Sequence, residues 1–121
     1  MAGFSFRARA GSFRHAFGGL GFMLRTQHNA WLHVAATLLA VAAGIALGLR
    51  GADWKWLVLT IAMVWVAEAL NTAFEHLCDV VSPEHHDSVR IAKDVAAAAV
   101  LISAFGAVAM AGLIFGPYLV P

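Results

Sequence analysis

Charged residues are scarce in this chain, and their scarcity excludes an ordinary soluble domain. Only 12% of its 121 residues are Asp, Glu, Lys or Arg, whereas soluble domains carry about 25%. Hydrophobic residues make up 61%, and the mean hydropathy is +0.77. The composition therefore indicates an integral membrane protein. The net charge of +1 also lacks the basic excess that nucleic acid would require, so no nucleic-acid partner is expected.

Cysteine pairs and the common nucleotide-binding signatures are missing as well. Cys78 is the single cysteine, so no intrachain disulfide can form. The P-loop motif G-x-x-x-x-G-K-[ST] does not occur, and neither do the protein-kinase motifs. The adjacent His85 and His86 do not have the helical spacing of zinc ligands. The first residues lack the uninterrupted apolar stretch of a cleaved signal peptide, so none is expected.

Three apolar segments are long enough to cross a bilayer, which takes roughly 20 residues each. The chain length favours a single domain over residues 1–121. The second segment is uninterrupted only over residues 56–67, apart from Thr60, so it crosses the membrane only if Glu68 and Asn71 lie in the bilayer or at its edge. The third stops at Gly116-Pro117. The spans are predicted over about residues 30–50, 54–80 and 91–116.

The segment before the first span, residues 4–26, has the pattern of an amphipathic helix lying in the membrane interface. Three nearby glycines weaken this pattern, because glycine disfavours a helix interior by about 1 kcal/mol, and a disordered basic tail is the alternative. The predicted fold class is an all-α membrane protein with an N-terminal amphipathic surface helix and three transmembrane helices. The apolar face of the surface helix comprises Phe6, Phe13, Phe17, Leu20 and Leu24.

The distribution of Lys and Arg predicts the orientation in the membrane. Arg50 and Lys55 lie on one side. By the positive-inside rule, the more basic side is cytoplasmic, so the N-terminus and the 76–94 segment are expected in the cytoplasm. The basic residues on that side are Arg7, Arg9, Arg14, Arg25, Arg90 and Lys93.

Small residues recur at every fourth position on the first and third spans. Such stripes allow helix backbones to approach closely in lipid. Because three thin helices bury little of one another, we expect a homo-oligomer. The two stripes are Ala36, Ala40, Gly44 and Gly48, and Ala99, Ser103, Ala107 and Ala111.

Acidic residues are concentrated at the end of the second span. Glu68, Asn71, Glu75 and Asp79 fall within an arc of about 80° on one helix face. A helix leaving the bilayer with a wet face would explain Asp79 well and Glu68 poorly. An ionisable residue at membrane depth costs several kcal/mol and is a functional candidate by default.

A second polar cluster follows at a turn. The sequence Glu84-His85-His86-Asp87 comes after Pro83, and the pair Lys93-Asp94 precedes the third span. This pair is either an interfacial anchor or a cation and a carboxylate directed at phosphates and metal. Together the two clusters suit phosphoryl transfer, because carboxylates bind Mg²⁺, lysine offsets phosphate charge, and a buried carboxylate can act as a general base.

These residues resemble the signature of the prokaryotic diacylglycerol kinases and undecaprenol kinases. The similar blocks are EALNTAFE at 68–75 followed by Asp79, SPEHH at 82–86, and AKDVAAAAV at 92–100. Two N-terminal blocks, SFRHA at 12–16 and NAWLH at 29–33, are also similar. The resemblance covers nearly the whole chain.

The resemblance implies a homotrimer in a bacterial cytoplasmic membrane, with active sites at the cytoplasmic interface between subunits. There, ATP and Mg²⁺ would phosphorylate a membrane lipid alcohol. Glu68 would be the general base and, with Ala97, would contact the lipid, while Asn71 and Asp79 would support the site. Glu75 and Gln27 would hold the metal. The nucleotide would contact Gly11, Ser12, Gln27, Glu75, Glu84, His85, His86, Lys93 and Asp94.

Two positions depart from the family pattern. Gln27 stands where the best-known members carry a glutamate that binds metal, and Gly11 supplies no side chain beside Ser12. An altered substrate or an inactive member is therefore an alternative to an active kinase.

The lipid and the class of function are open at this stage. The Ser82-Pro83 turn and the Asn29-x-x-x-His33 element favour undecaprenol over diacylglycerol. Two other classes compete with the kinase. One is an oligomer that conducts protons or cations past Glu68 and Glu75, and the other is a non-catalytic membrane scaffold.

Overall fold

Four α-helices account for nearly all of the chain in the computed structural model, which describes residues 3–121. No strand occurs in that range, and three of the helices are long and apolar enough to cross a membrane. The predicted fold class, a surface helix followed by three membrane spans, is confirmed. The helices are α1 (Phe6–Thr26), α2 (His28–Leu47), α3 (Gly51–Val81) and α4 (Asp87–Leu119).

Helix α1 is ordered as a helix rather than a disordered tail. Its N-terminus is capped by Ser5, whose hydroxyl accepts a hydrogen bond from the Ala8 amide at 3.4 Å. Near its C-terminal end, Met23 is buried and the indole of Trp31 donates to the Leu24 carbonyl at 2.8 Å. These contacts attach one end of α1 to the bundle, while its phenylalanines stay exposed, as expected of a helix lying in the interface.

Very few side chains are buried, although the chain is strongly apolar. The largest buried cluster is Leu49, Leu57 and Ile114, at one end of the bundle. Large apolar side chains such as Leu39 and Ile102 face outward. This arrangement is stable in a bilayer, because lipid tails are as apolar as leucine and the outward side chains need no burial in protein.

A glycine turn connects α2 to α3. Gly48 has φ +66°, the left-handed conformation that ends many helices, and the Leu49 amide donates to the Gly44 carbonyl at 3.0 Å. Gly48 therefore ends α2 instead of continuing its small-residue stripe. Gly44 serves close packing: a Cβ there would lie 2.8 Å from the Trp54 ring.

Helix α4 continues past Pro117 to Leu119, beyond the Gly116-Pro117 stop expected from sequence. Proline within a helix removes a single backbone hydrogen bond and disturbs the preceding turn, and only two helical residues follow Pro117. The hydroxyl of Tyr118 donates to the Asp53 carboxylate and accepts from the Arg50 amide at 3.0 Å. These tertiary contacts hold the last turn of α4 against the start of α3.

The Gly44 contact gives a test of the packing. We expect Gly44→Ala to lower the free energy of unfolding by about 1–3 kcal/mol, the usual effect of overpacking, because the new methyl group meets the Trp54 ring. Gly112→Ala is the matched control, since no atom lies within 4 Å of its added Cβ. Unfolding in detergent would be compared for the two variants. Equal stability of both would contradict the close contact.

Candidate functional site

A polar cleft of about 410 Å³ lies where α3 ends and α4 begins; we call it the terminal cleft. It brings together eight of the residues predicted for the site. They come from the end of α3, from the connecting segment 82–86 and from the first turns of α4: Glu75, Asp79, Glu84, His85, His86, Lys93, Asp94 and Ala97.

The connecting segment forms one wall of the terminal cleft because of its local chemistry. Pro83 cannot donate a backbone hydrogen bond, and α3 ends two residues before it. The Ser82 hydroxyl donates to the Glu84 carbonyl at 3.1 Å. At the start of α4, the imidazole of His86 accepts from the Ser88 amide at 3.2 Å and caps the helix. The chain therefore reverses here, and α4 packs along α3.

The cations of the terminal cleft are paired with its carboxylates. Lys93 Nζ lies 2.9 Å from Asp79 Oδ1, and Arg90 Nη1 lies 3.1 Å from Asp94 Oδ2. Ion pairs between solvent-exposed side chains contribute only about 0–1 kcal/mol to stability. These pairs can therefore open at little cost, which would make both cations available to an anionic ligand.

Glu75 is the half-buried carboxylate of the terminal cleft. Within residues 3–121, its carboxylate has neither an ion pair nor a hydrogen bond, unlike those of Asp79 and Asp94. The same residues contain no group of three His, Cys, Asp or Glu side chains able to hold a metal by themselves. Mg²⁺ needs only one or two carboxylates when phosphate oxygens complete its shell. The donor set of the cleft fits a metal that arrives with a nucleotide.

Glu68 lies outside the terminal cleft, in the most buried polar position of the described chain. It is 1% exposed, and its Oε2 lies 3.2 Å from Nε2 of His33 on α2. Since it precedes Glu75 by seven residues on a continuous helix, the two are about 10 Å apart along the axis. The acidic face predicted for α3 is therefore divided between two neighbours, α2 at the level of Glu68 and α4 at the level of Glu75.

Asn71 lies between Glu68 and Glu75 along α3, but it lines neither the contact with His33 nor the terminal cleft. It lines an apolar groove of about 830 Å³ between α3 and α4, and its Oδ1 is buried without a hydrogen-bond partner. A buried, unpaired amide oxygen costs about 1–3 kcal/mol. Asn71 therefore lacks the hydrogen-bond partner that a buried amide oxygen normally has.

Besides Glu68 and Asn71, three further residues predicted for the site do not reach the terminal cleft within the described chain. Gly11 and Ser12 lie on α1, where the Ser12 hydroxyl donates to the Ala8 carbonyl at 3.2 Å. Gln27 connects α1 to α2, and its amide donates to the Met23 carbonyl at 2.9 Å. None of the three lines the cleft, because α1 packs against α2 and α3 rather than near the start of α4.

Two site neighbours were not predicted from sequence. The sequence favours a hydrogen-bonded packing residue over a metal ligand at His33, and the structure shows that its hydrogen-bond partner is Glu68. An ionisable residue within an apolar span was the available signal, the same one that identified Glu68. Arg90 lines the terminal cleft, and its spacing of four residues from Asp94 could have indicated an ion pair.

Comparison with known proteins gives consistent matches. The model of the prokaryotic diacylglycerol kinase family matches residues 14–115. The chain is 36% identical over 107 residues to the diacylglycerol kinase of Synechocystis, covering 88% of this chain and 61% of that protein, so it spans under two thirds of that relative's length. It is 36% identical over 108 residues to the undecaprenol kinase of Bacillus subtilis, covering 89% and 88%. The diacylglycerol kinase of Escherichia coli K12 is 32% identical over 95 residues, covering 73% and 78%.

The ion pairs of the terminal cleft predict how it binds phosphate. We expect Lys93→Met to weaken binding of a non-hydrolysable ATP analogue at least about tenfold, because hydrogen bonds to charged groups contribute about 1.5–3 kcal/mol. Lys55→Met removes the same charge near the opposite end of α3 and should leave binding unchanged. Titration calorimetry in detergent would measure both. Equal affinity of the two variants would rule out the cleft as the phosphate site.

Proposed function

This chain belongs to the prokaryotic diacylglycerol kinase family, and on that premise we propose that it is an ATP- and Mg²⁺-dependent lipid kinase. Its substrate is a membrane lipid alcohol, undecaprenol or diacylglycerol. The observation that carries the proposal is the terminal cleft, where Lys93 and Arg90 lie beside Glu75, which is free of ion pairs among the described residues. Cations with a free carboxylate suit a metal-bound triphosphate.

The terminal cleft would hold the nucleotide. Lys93 and Arg90 would exchange their carboxylate partners for phosphate oxygens, which offsets the negative charge of the triphosphate. Glu84, His85 and His86 would contact the nucleotide from the connecting segment. Glu75 would bind Mg²⁺ together with phosphate oxygens, and the metal supplies positive charge where negative charge develops on the leaving phosphate.

Glu68 would activate the lipid. Its carboxylate accepts the proton of the lipid hydroxyl, whose oxygen forms a bond to the γ-phosphorus. The bond between that phosphorus and the bridging oxygen breaks, and ADP leaves with the electron pair. Asn71 would support the reacting groups through its unpaired Oδ1, and Asp79 would hold Lys93 in the cleft. Ala97 would line the lipid side.

A homo-oligomer, which we propose to be a trimer, would complete the site. In one chain, Glu68 lies about 10 Å along α3 from Glu75, and Gly11, Ser12 and Gln27 lie outside the terminal cleft. A direct transfer brings base, hydroxyl and phosphorus within about 3–3.5 Å of one another. A neighbouring subunit could bring its own cleft and α1 residues to Glu68. Exposed apolar side chains on all three spans are compatible with such contacts.

The lipid and the location follow from less specific features. The Ser82-Pro83 turn and the Asn29-x-x-x-His33 element favour undecaprenol, while the two relatives at 36% identity bear the names of both activities. The basic residues around α1 and the start of α4 favour the cytoplasmic membrane with a cytoplasmic N-terminus.

Ion conduction is less well supported. A proton path across the membrane from Glu68 would need further ionisable relays. Within residues 34–47 of α2, 56–67 of α3 and 95–117 of α4, the sequence contains no Asp, Glu, Lys, Arg or His. A conducting path within one chain would therefore end at His33 and Glu68.

The base assignment predicts a defined loss of activity. We expect Glu68→Gln to lower kcat about 10²- to 10⁴-fold, the usual contribution of a general base. Transfer of labelled γ-phosphate would be measured in detergent, with undecaprenol and diacylglycerol offered in parallel, each with and without Mg²⁺.

Asp53→Asn is the matched control, because it makes the same carboxylate-to-amide change at the opposite end of α3 and should retain activity. A folded wild-type protein that phosphorylates neither lipid would refute the kinase proposal and would make Gln27 the first residue to examine. Transfer that persists in Glu68→Gln would refute only the base assignment.

A further inference from the structure

The contact between His33 and Glu68 joins two ionisable side chains within membrane-spanning helices. Nε2 of His33 lies 3.2 Å from Oε2 of Glu68, and their side chains are 14% and 2% exposed. A carboxylate buried at this depth is costly unless it is hydrogen-bonded. Among residues 3–121, His33 is the one side chain that bonds to this carboxylate, and the other oxygen, Oε1, has no hydrogen bond.

Further contacts join α2 to α3 beside the imidazole. Its ring lies 6.0 Å from the ring of Trp65, and the Trp65 indole donates to the Thr37 hydroxyl at 3.0 Å. These contacts join α2 to α3 one turn from Glu68. On the other side, the Thr72 hydroxyl donates to the backbone carbonyl of Glu68 at 2.9 Å. The carboxylate, carried by α3, is thus joined to α2 through His33.

We propose that His33 is a positioning residue for Glu68. By bonding to Oε2, it fixes the rotation of the carboxylate and leaves Oε1 to accept the proton of the lipid hydroxyl. The inference rests on the proposed kinase function. A buried polar pair that served packing alone would do equally well with both oxygens bonded, whereas a base needs one oxygen free and correctly directed.

Three substitutions of His33 test the positioning role, because a misplaced base should lower kcat without changing KM for ATP. His33→Leu removes the hydrogen bond and is expected to lower kcat about 10- to 100-fold, because a small misplacement of a reacting group has an effect of this size. The KM for ATP should stay within about twofold, since His33 does not line the terminal cleft, where the nucleotide would bind. His33→Gln, whose amide reaches the position of Nε2, should recover most of kcat. His33→Asn, whose amide ends short of Glu68, should not.

Thr37→Val is the matched control for packing. It removes the neighbouring bond between α2 and α3 but not the bond to Glu68, so kcat should be unchanged even if the melting temperature falls. If His33→Leu does not fold, the comparison between the two amide variants still decides the question. Equal kcat for His33→Gln and His33→Asn, or a loss in Thr37→Val as large as in His33→Asn, would overturn the positioning role.

Wild-type activity and variant activity distinguish a wrong role for His33 from a wrong assignment as a kinase. An inactive wild-type protein would reject the kinase. An active wild-type protein that loses activity in Glu68→Gln but keeps full kcat in His33→Asn would reject only the role of His33. Combining Glu68→Gln with His33→Asn should lower the residual rate no further than Glu68→Gln alone, because residues that act through one group are not additive.

Discussion

The continuity of α3 is the constraint on which the rest of the site depends. This helix runs without interruption over 31 residues, so the distance between Glu68 and Glu75 is set by helical geometry at about 10 Å along the axis. One carboxylate is therefore held at membrane depth, while the other lies in the terminal cleft. In the proposed kinase, the lipid would meet a carboxylate within the apolar span, and the water-soluble nucleotide would meet one in the polar cleft.

The bilayer explains why so small a protein can hold a buried polar pair. In water, burying a carboxylate would require a large core, but here lipid supplies the apolar surroundings and few residues are buried inside the chain. The cost of Glu68 is reduced by one partner, His33, on the neighbouring helix. The ion pairs of Lys93 and Arg90 are exposed to water, which solvates their charges. Exposed pairs contribute little to stability, so each cation could exchange its carboxylate partner for a phosphate.

Sequence was sufficient where local patterns determine structure. Apolar runs predicted three spans, spacing predicted the surface helix, and Pro83 predicted the turn beside the terminal cleft. The features that could not be predicted from sequence depend on contacts between helices. The end of α4 depends on Tyr118 contacting Asp53, and the division of the acidic face depends on which helix packs against each level of α3. Gln27 and Ser12 lie outside the terminal cleft, and their expected roles would require the proposed packing between chains, which no local sequence pattern encodes.

The central claim is that one reaction centre combines Glu68 of one subunit with the terminal cleft of its neighbour. Mixed oligomers of Glu68→Gln and Lys93→Met chains test this most directly, with the rate of lipid phosphorylation compared with that of each variant alone. A shared site predicts recovery, because some neighbouring pairs then combine an intact Glu68 with an intact Lys93. A mixture no more active than its parents, at verified co-assembly, would contradict the shared site and would place both residues of each centre in one chain.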